Sequence, residues 1–100
     1  MESTIDFDNL ERPILLQFYA DWCAPCKMLS GVLDHIEGDI RENVDFVRVN
    51  IDHDRELKDE FFVRSVPTMI LLNKSGDIYW RNTGVVPPQE IMRHVSSVDK

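Results

Sequence analysis

Apolar positions fall along the chain in short blocks whose spacing changes from block to block. Ile14-Leu15-Leu16-Gln17-Phe18-Tyr19 is an almost unbroken apolar run, the pattern of a strand covered on both faces. Leu29, Val32, Leu33, Ile36 and Ile40 follow at spacings of three and four and make one helical stripe. Pro25 suits the start of that helix, and Gly38 is expected to end it. Phe46 to Ile51 alternates as a second strand. Asp52 or Asp54 is then placed to cap a helix with Leu57 and Phe61 on its inner side. Met69 to Leu72 is a third strand, and the turn Lys74-Ser75-Gly76-Asp77 leads to a fourth over Ile78 to Arg81. Pro87-Pro88 opens a last helix carrying Ile91, Val95 and Val98. A helix between the first two strands forces them parallel, whereas the last two form an antiparallel hairpin. The expected class is α/β: a mixed sheet of about four strands flanked by helices. Twelve residues precede Pro13, too few for a strand plus a crossover helix, so one helical turn over Asp6 to Leu10 is expected instead.

Length and charge narrow the picture. One hundred residues with 43% hydrophobic content suffice for one core, so residues 1–100 are expected to form a single domain without repeat, linker or low-complexity tract. The net charge is −7, which opposes binding to nucleic acid or anionic membranes. The acidic start Met1-Glu2-Ser3-Thr4-Ile5-Asp6 is not expected to act as a signal peptide, and the apolar runs are too short to span a bilayer. Asn73-Lys74-Ser75 is a glycosylation sequon, read here as a turn. A cytoplasmic location is expected.

The candidate chemistry lies in Trp22-Cys23-Ala24-Pro25-Cys26-Lys27, which holds both cysteines of the chain. They fall between a buried strand and the first turn of a helix, where free N–H groups and the helix dipole favour an anion. A thiolate is such an anion and is the form that attacks disulfides. Cys23, at the open end, is expected to be the nucleophile. Cys26, one turn further in, is expected to be the resolving thiol that attacks the Cys23 sulfur. Pro25 stiffens the intervening loop. A zinc site needs four ligands, but His35, His53 and His94 are scattered and no second cysteine pair exists. Haem attachment needs a histidine directly after the second cysteine, where Lys27 stands. No metal is expected.

These segments resemble the thioredoxin family. Phe18 to Met28 is similar to its active-site segment, Val49-Asn50-Ile51-Asp52 to its next strand end, and Val63-Arg64-Ser65-Val66-Pro67-Thr68 to the segment with its cis-proline. Gly84 stands where the family has a glycine beside the active site. The resemblance runs over about residues 13 to 98. It implies that Pro67 is cis and lies against the cysteines, that the Val66 backbone hydrogen-bonds a substrate chain, and that Trp22 is a partly exposed flap. It also implies that Cys23 and Cys26 form the redox-active disulfide, that the domain needs no bound cofactor, and that an NADPH-dependent flavoprotein, a thioredoxin reductase, restores the dithiol.

Four departures from the family stand out. Ala24 replaces a glycine between the cysteines and bears on the redox potential, where about 30 mV corresponds to 1.4 kcal/mol. Gln17 replaces a buried aspartate that helps deprotonate the resolving cysteine, so slower resolution or a route through water is expected, with a more stable fold. Arg48 replaces a nearby lysine and is read as a snorkelling surface side chain. Gly31 replaces a helix proline, permitting a kink without forcing one. In addition, the family's first strand is expected to be missing. The leading functional expectation is a protein-disulfide oxidoreductase that reduces disulfide-containing proteins in the cytoplasm. The alternatives are a disulfide oxidase or isomerase, and a partner-binding module built on the same fold.

Overall fold

The computed structural model describes residues 5–99. Its elements are β1 (Ile14–Tyr19), α1 (Ala24–Asn43), β2 (Asp45–Asn50), α2 (Arg55–Glu60), β3 (Thr68–Leu72), β4 (Ile78–Thr83) and α3 (Pro88–Ser97). The four strands form one sheet in the order β2-β1-β3-β4. β1 and β2 are parallel, with Leu15 opposite Phe46 and Tyr19 opposite Asn50. β1–β3 and β3–β4 are antiparallel, and the last pair shifts register between Leu71 and Leu72. This is the mixed four-stranded sheet flanked by helices that the hydrophobic pattern predicts.

Alternation along the strands splits the core into two clusters, one on each face. Leu16, Phe18, Ile70 and Leu72 pack with Val49, Leu57 and Phe61 on the α2 side. Leu15, Met69 and Leu71 pack with Leu29, Leu33 and Ile40 of α1 and with Ile91 and Val95 of α3. Because β1 and β3 are central and buried on both faces, their sequences read as continuous apolar runs.

Three expectations need correction. Gly38 does not end α1. The helix continues to Asn43, because Ile40 extends the buried stripe, and the Val44 N–H closes the last turn onto the Ile40 carbonyl at 3.0 Å. Residues Asp6 to Leu10 form no helical turn. They make an isolated turn, closed by Asn9 N–H to the Asp6 carbonyl at 3.2 Å. Ile5, Phe7 and Leu10 close over the α2-side core, with the Phe7 ring edge-on to Phe61 at 5.3 Å. Gly76, at φ 87°, is required there, since a Cβ would collide with the Phe7 carbonyl.

Arg48 is the third correction. It is more than the snorkelling surface side chain expected, since its head group ties β2 to α1. Its guanidinium donates to Asp34 Oδ1 at 2.6 Å and Glu37 Oε1 at 3.2 Å, and it lies 5.0 Å from the Phe46 ring centroid. The register that sets Arg48 beside Gln17 turns it under α1, where Asp34 and Glu37 lie one turn apart on the same helix face. The hydrogen bond from Arg41 holds the Glu37 carboxyl below its ordinary range against some desolvation, and Arg48 adds to the effect.

Candidate active site

The parallel pairing of β1 and β2 brings their carboxyl ends to one edge of the sheet, the usual location of a site in an α/β fold. The chain leaves β1 through Ala20, turns with the Cys23 N–H on the Ala20 carbonyl at 3.2 Å, and enters α1. Cys23 is itself the N-cap, and its Sγ accepts the Cys26 N–H at 3.2 Å. Pro25 sits in the first turn, where its missing donor costs nothing, and no acidic side chain occupies that turn. The positive end of α1 is therefore directed at the Cys23 sulfur without a competing carboxylate.

Cys23 and Cys26 are joined as a disulfide, with their Cα atoms 5.3 Å apart. Both residues are nearly buried, Cys23 at 4% exposure and Cys26 at 2%. The Cys23 Sγ lies 3.7 Å from the Val66 carbonyl oxygen. The Val66–Pro67 peptide bond is cis. This loop is held from both ends: Thr68 Oγ1 donates to the Ser65 carbonyl at 2.7 Å, and the Gly84 N–H donates to the Pro67 carbonyl at 2.8 Å. Gly84 does so at φ 100°, a backbone conformation that glycine takes without steric cost. Cys23, Cys26, Val66, Pro67 and Gly84 thus meet at one end of the sheet. Ala24 and Lys27 lie exposed on the first turn of α1.

Trp22 is 68% exposed, and its indole N–H donates to Asp52 Oδ2 at 3.0 Å. Asp52 therefore does not cap α2. Asp54 does, accepting the Leu57 N–H at 3.0 Å. Sequence reading offered both aspartates as caps and missed Asp52 as the anchor of the indole. The strand register that aligns Tyr19 with Asn50 brings these loops together across 30 positions.

Gln17 lies fully buried in β1 and faces α1. Its Nε2 donates to Ser30 Oγ at 3.2 Å, while Oε1 accepts no hydrogen bond among the described residues. Its partner Ser30 lines an open cleft of about 530 Å³, together with Tyr19, Cys26, Lys27 and Gly31 among others. Ser30 is a second residue that sequence reading did not single out. Among the described residues, no group of three or more His, Cys, Asp and Glu side chains is arranged to hold a metal ion. No helix among the described residues is long and apolar enough to cross a membrane.

A family model described as Thioredoxin matches residues 4–97. The chain belongs to the thioredoxin family. It is 35% identical over 88 residues to a thioredoxin of Haemophilus influenzae, covering 88% of this chain and 81% of the relative. It is 36% identical over 93 residues to a bifunctional thioredoxin reductase/thioredoxin of Mycobacterium leprae, covering 93% of this chain but 20% of that longer protein. The crystal structure of a thioredoxin from Nicotiana alata superposes with a TM-score of 0.81 at 30% identity, covering 93% of this chain and 78% of the other. Thioredoxins are thiol–disulfide oxidoreductases, and this member carries the cysteine pair that such chemistry needs, already closed as a disulfide.

Proposed function

We propose that this chain, working as a single domain, reduces protein disulfides in the cytoplasm, with Cys23 as nucleophile and Cys26 as resolving thiol. The Cys23 thiolate attacks one sulfur of a substrate disulfide, forming a mixed disulfide and expelling the other sulfur as a thiolate. The Cys26 thiolate then attacks the Cys23 sulfur, closing the Cys23–Cys26 disulfide and releasing the second substrate thiolate. Two electrons pass to the substrate, and its two thiolates take up two protons. The helix end stabilises the attacking thiolate. Pro25 keeps both sulfurs within reach of each other.

The observation that carries this reading is the disulfide at the N-terminus of α1, with Cys23 Sγ against the Val66 carbonyl. That carbonyl and its neighbouring N–H belong to a loop beside the sulfur, where the backbone of an extended substrate chain can be accepted. Trp22, tied to Asp52, acts as the flap beside it, while Pro67 and Gly84 set the position of the loop. No bound cofactor takes part. The electron donor is an NADPH-dependent flavoprotein thioredoxin reductase, in keeping with the fused reductase and thioredoxin of the Mycobacterium leprae relative.

A titration in thiol–disulfide buffers of graded potential, followed through Trp22 fluorescence, tests this. A reversible two-electron transition at strongly reducing potential supports the reductase. A transition at clearly oxidising potential points to an oxidase or isomerase. Absence of any reversible transition leaves a partner-binding module.

A further inference from the structure

Phe62 combines two properties that a folding role does not explain. Its side chain is 71% exposed, and its backbone stands at φ 54°, a region that bulky residues rarely enter. The conformation belongs to the end of α2. The Phe62 N–H bonds to the Asp59 carbonyl at 3.1 Å and the Val63 N–H to the Lys58 carbonyl at 3.0 Å. This pair of bonds terminates a helix at a position normally filled by glycine. Arg81 of β4 then donates to the Phe61 carbonyl at 2.7 Å and the Phe62 carbonyl at 3.0 Å. All of that structural work is done by backbone atoms, which glycine supplies with less strain. The ring is left facing solvent.

The surroundings of the ring indicate what it meets. Lys58, Asp59, Phe62, Val63 and Arg64 border an open hollow of about 280 Å³, in which Lys58 is paired with the Asp59 carboxylate at 3.6 Å and Arg64 is left to meet an incoming carboxylate. Arg64 is exposed and has no ion-pair partner among the described residues, in a chain of net charge −7. The segment continues directly into Ser65 and Val66, and the Val66 carbonyl lies beside the Cys23 sulfur. Chain reach keeps Phe62 within about 14 Å of Val66, roughly four residues of an extended polypeptide.

We propose that Phe62 and Arg64 are specificity contacts for the polypeptide that flanks the substrate disulfide: an apolar side chain lies on the phenyl ring, and an adjacent carboxylate pairs with Arg64. The proposal rests on the oxidoreductase reading above. It makes the hollow an extension of the active site, selecting by sequence at a distance from the exchanging sulfurs. A ring already held in the open meets an apolar side chain without rearrangement of the helix end.

The test uses two disulfide-linked peptides that are identical except four residues to each side of the cysteine, where one carries Leu-Glu and the other Ser-Lys. Turnover of 2-hydroxyethyl disulfide certifies the underlying chemistry. The wild-type chain is expected to prefer the Leu-Glu peptide about tenfold in kcat/KM, mainly through KM. Phe62→Gly, which suits the backbone at this position, is expected to reduce that preference to about twofold or less. Ile78→Ser, which removes an exposed apolar side chain on β4, is expected to keep it. No preference in the wild type, a preference that survives Phe62→Gly, or an equal loss in Ile78→Ser each overturns the proposal. If the wild-type chain reduces neither peptides nor 2-hydroxyethyl disulfide, the oxidoreductase reading itself falls, and this inference falls with it.

Discussion

Two helix ends, the start of α1 at the cysteine pair and the end of α2, are built by opposite rules. The N-terminus of α1 follows the local code: proline in the first turn, a capping side chain, no carboxylate to offset the dipole. The capping atom is a sulfur, so the feature that starts the helix also favours negative charge on that sulfur. The C-terminus of α2 breaks the local code, placing an exposed aromatic where glycine belongs. Where capping and chemistry ask for the same residue, a sequence reveals both. Where a residue opposes its local geometry, the reason has to be sought outside the element that holds it.

The largest expected effect separates capping from chemistry at α1. Serine caps a helix well but is a far poorer nucleophile than a thiolate. Cys23→Ser is therefore expected to lose disulfide reduction by at least about a thousandfold. Its stability should stay within about 1 kcal/mol of the reduced wild-type protein. Cys26→Ser is expected to keep the attack and lose the release, accumulating a covalent mixed disulfide visible on a non-reducing gel or by mass spectrometry. If Cys26→Ser turned over freely and Cys23→Ser trapped substrate, the two roles would be exchanged. The anion-stabilising helix end would then have failed to select the nucleophile.

The legible parts of the molecule share a physical basis. β1 and β3 are buried on both faces and show as apolar runs, and α1 shows as a stripe. The cysteine segment was legible because its chemistry is local: cap, proline and both sulfurs lie within one helical turn. Gly38 misled because a glycine on an exposed helix face costs only about 1 kcal/mol, which burial of Ile40 beyond it outweighs. Arg48 misled because its partners Asp34 and Glu37 lie on another element, and only the strand register brings them within reach. Trp22 with Asp52 and Gln17 with Ser30 are likewise long-range pairs with no local signature. Phe62 was hidden differently. The four-residue spacing from Leu57 marks Phe61 as inward, but nothing in Glu60-Phe61-Phe62-Val63 marks Phe62 as the residue that takes the left-handed helix end and faces solvent.

The second prediction measures how far α2 departs from its own rule. A non-glycine residue held in the left-handed region costs roughly 1–3 kcal/mol, part of which returns when glycine's larger unfolded entropy is counted. Phe62→Gly is accordingly expected to stabilise the fold by about 1 kcal/mol. For a domain of this size that raises the melting midpoint by about 4–8 °C. Urea or thermal denaturation of the reduced protein reads this without reference to activity. A destabilised variant would mean that the ring makes contacts the exposed side chain does not suggest, and the contrast between the two helix ends would disappear.

The smallest effect comes from a third helix end, where both influences act on one side chain. His94 lies in the last turn of α3, a position at which the dipole favours a protonated imidazole. Its ring stacks on Trp80 at 4.5 Å and meets Tyr79 edge-on at 6.4 Å. Desolvation by this packing, reinforced by Arg93 and opposed by Glu90, holds the imidazole below its ordinary value. The folded state thus prefers neutral His94, while the unfolded chain binds the proton from about pH 6.5 downward. Stability from this group is complete above that value and declines as pH falls through it towards the lower folded value. His94→Phe keeps an aromatic ring for Trp80 and removes the titration. The difference in melting midpoint between variant and wild type is expected to grow in the variant's favour from pH 7.5 to pH 5. A difference that stayed constant with pH would mean that the helix dipole offsets the stacking, so that the local rule prevails at this end as it does at α1.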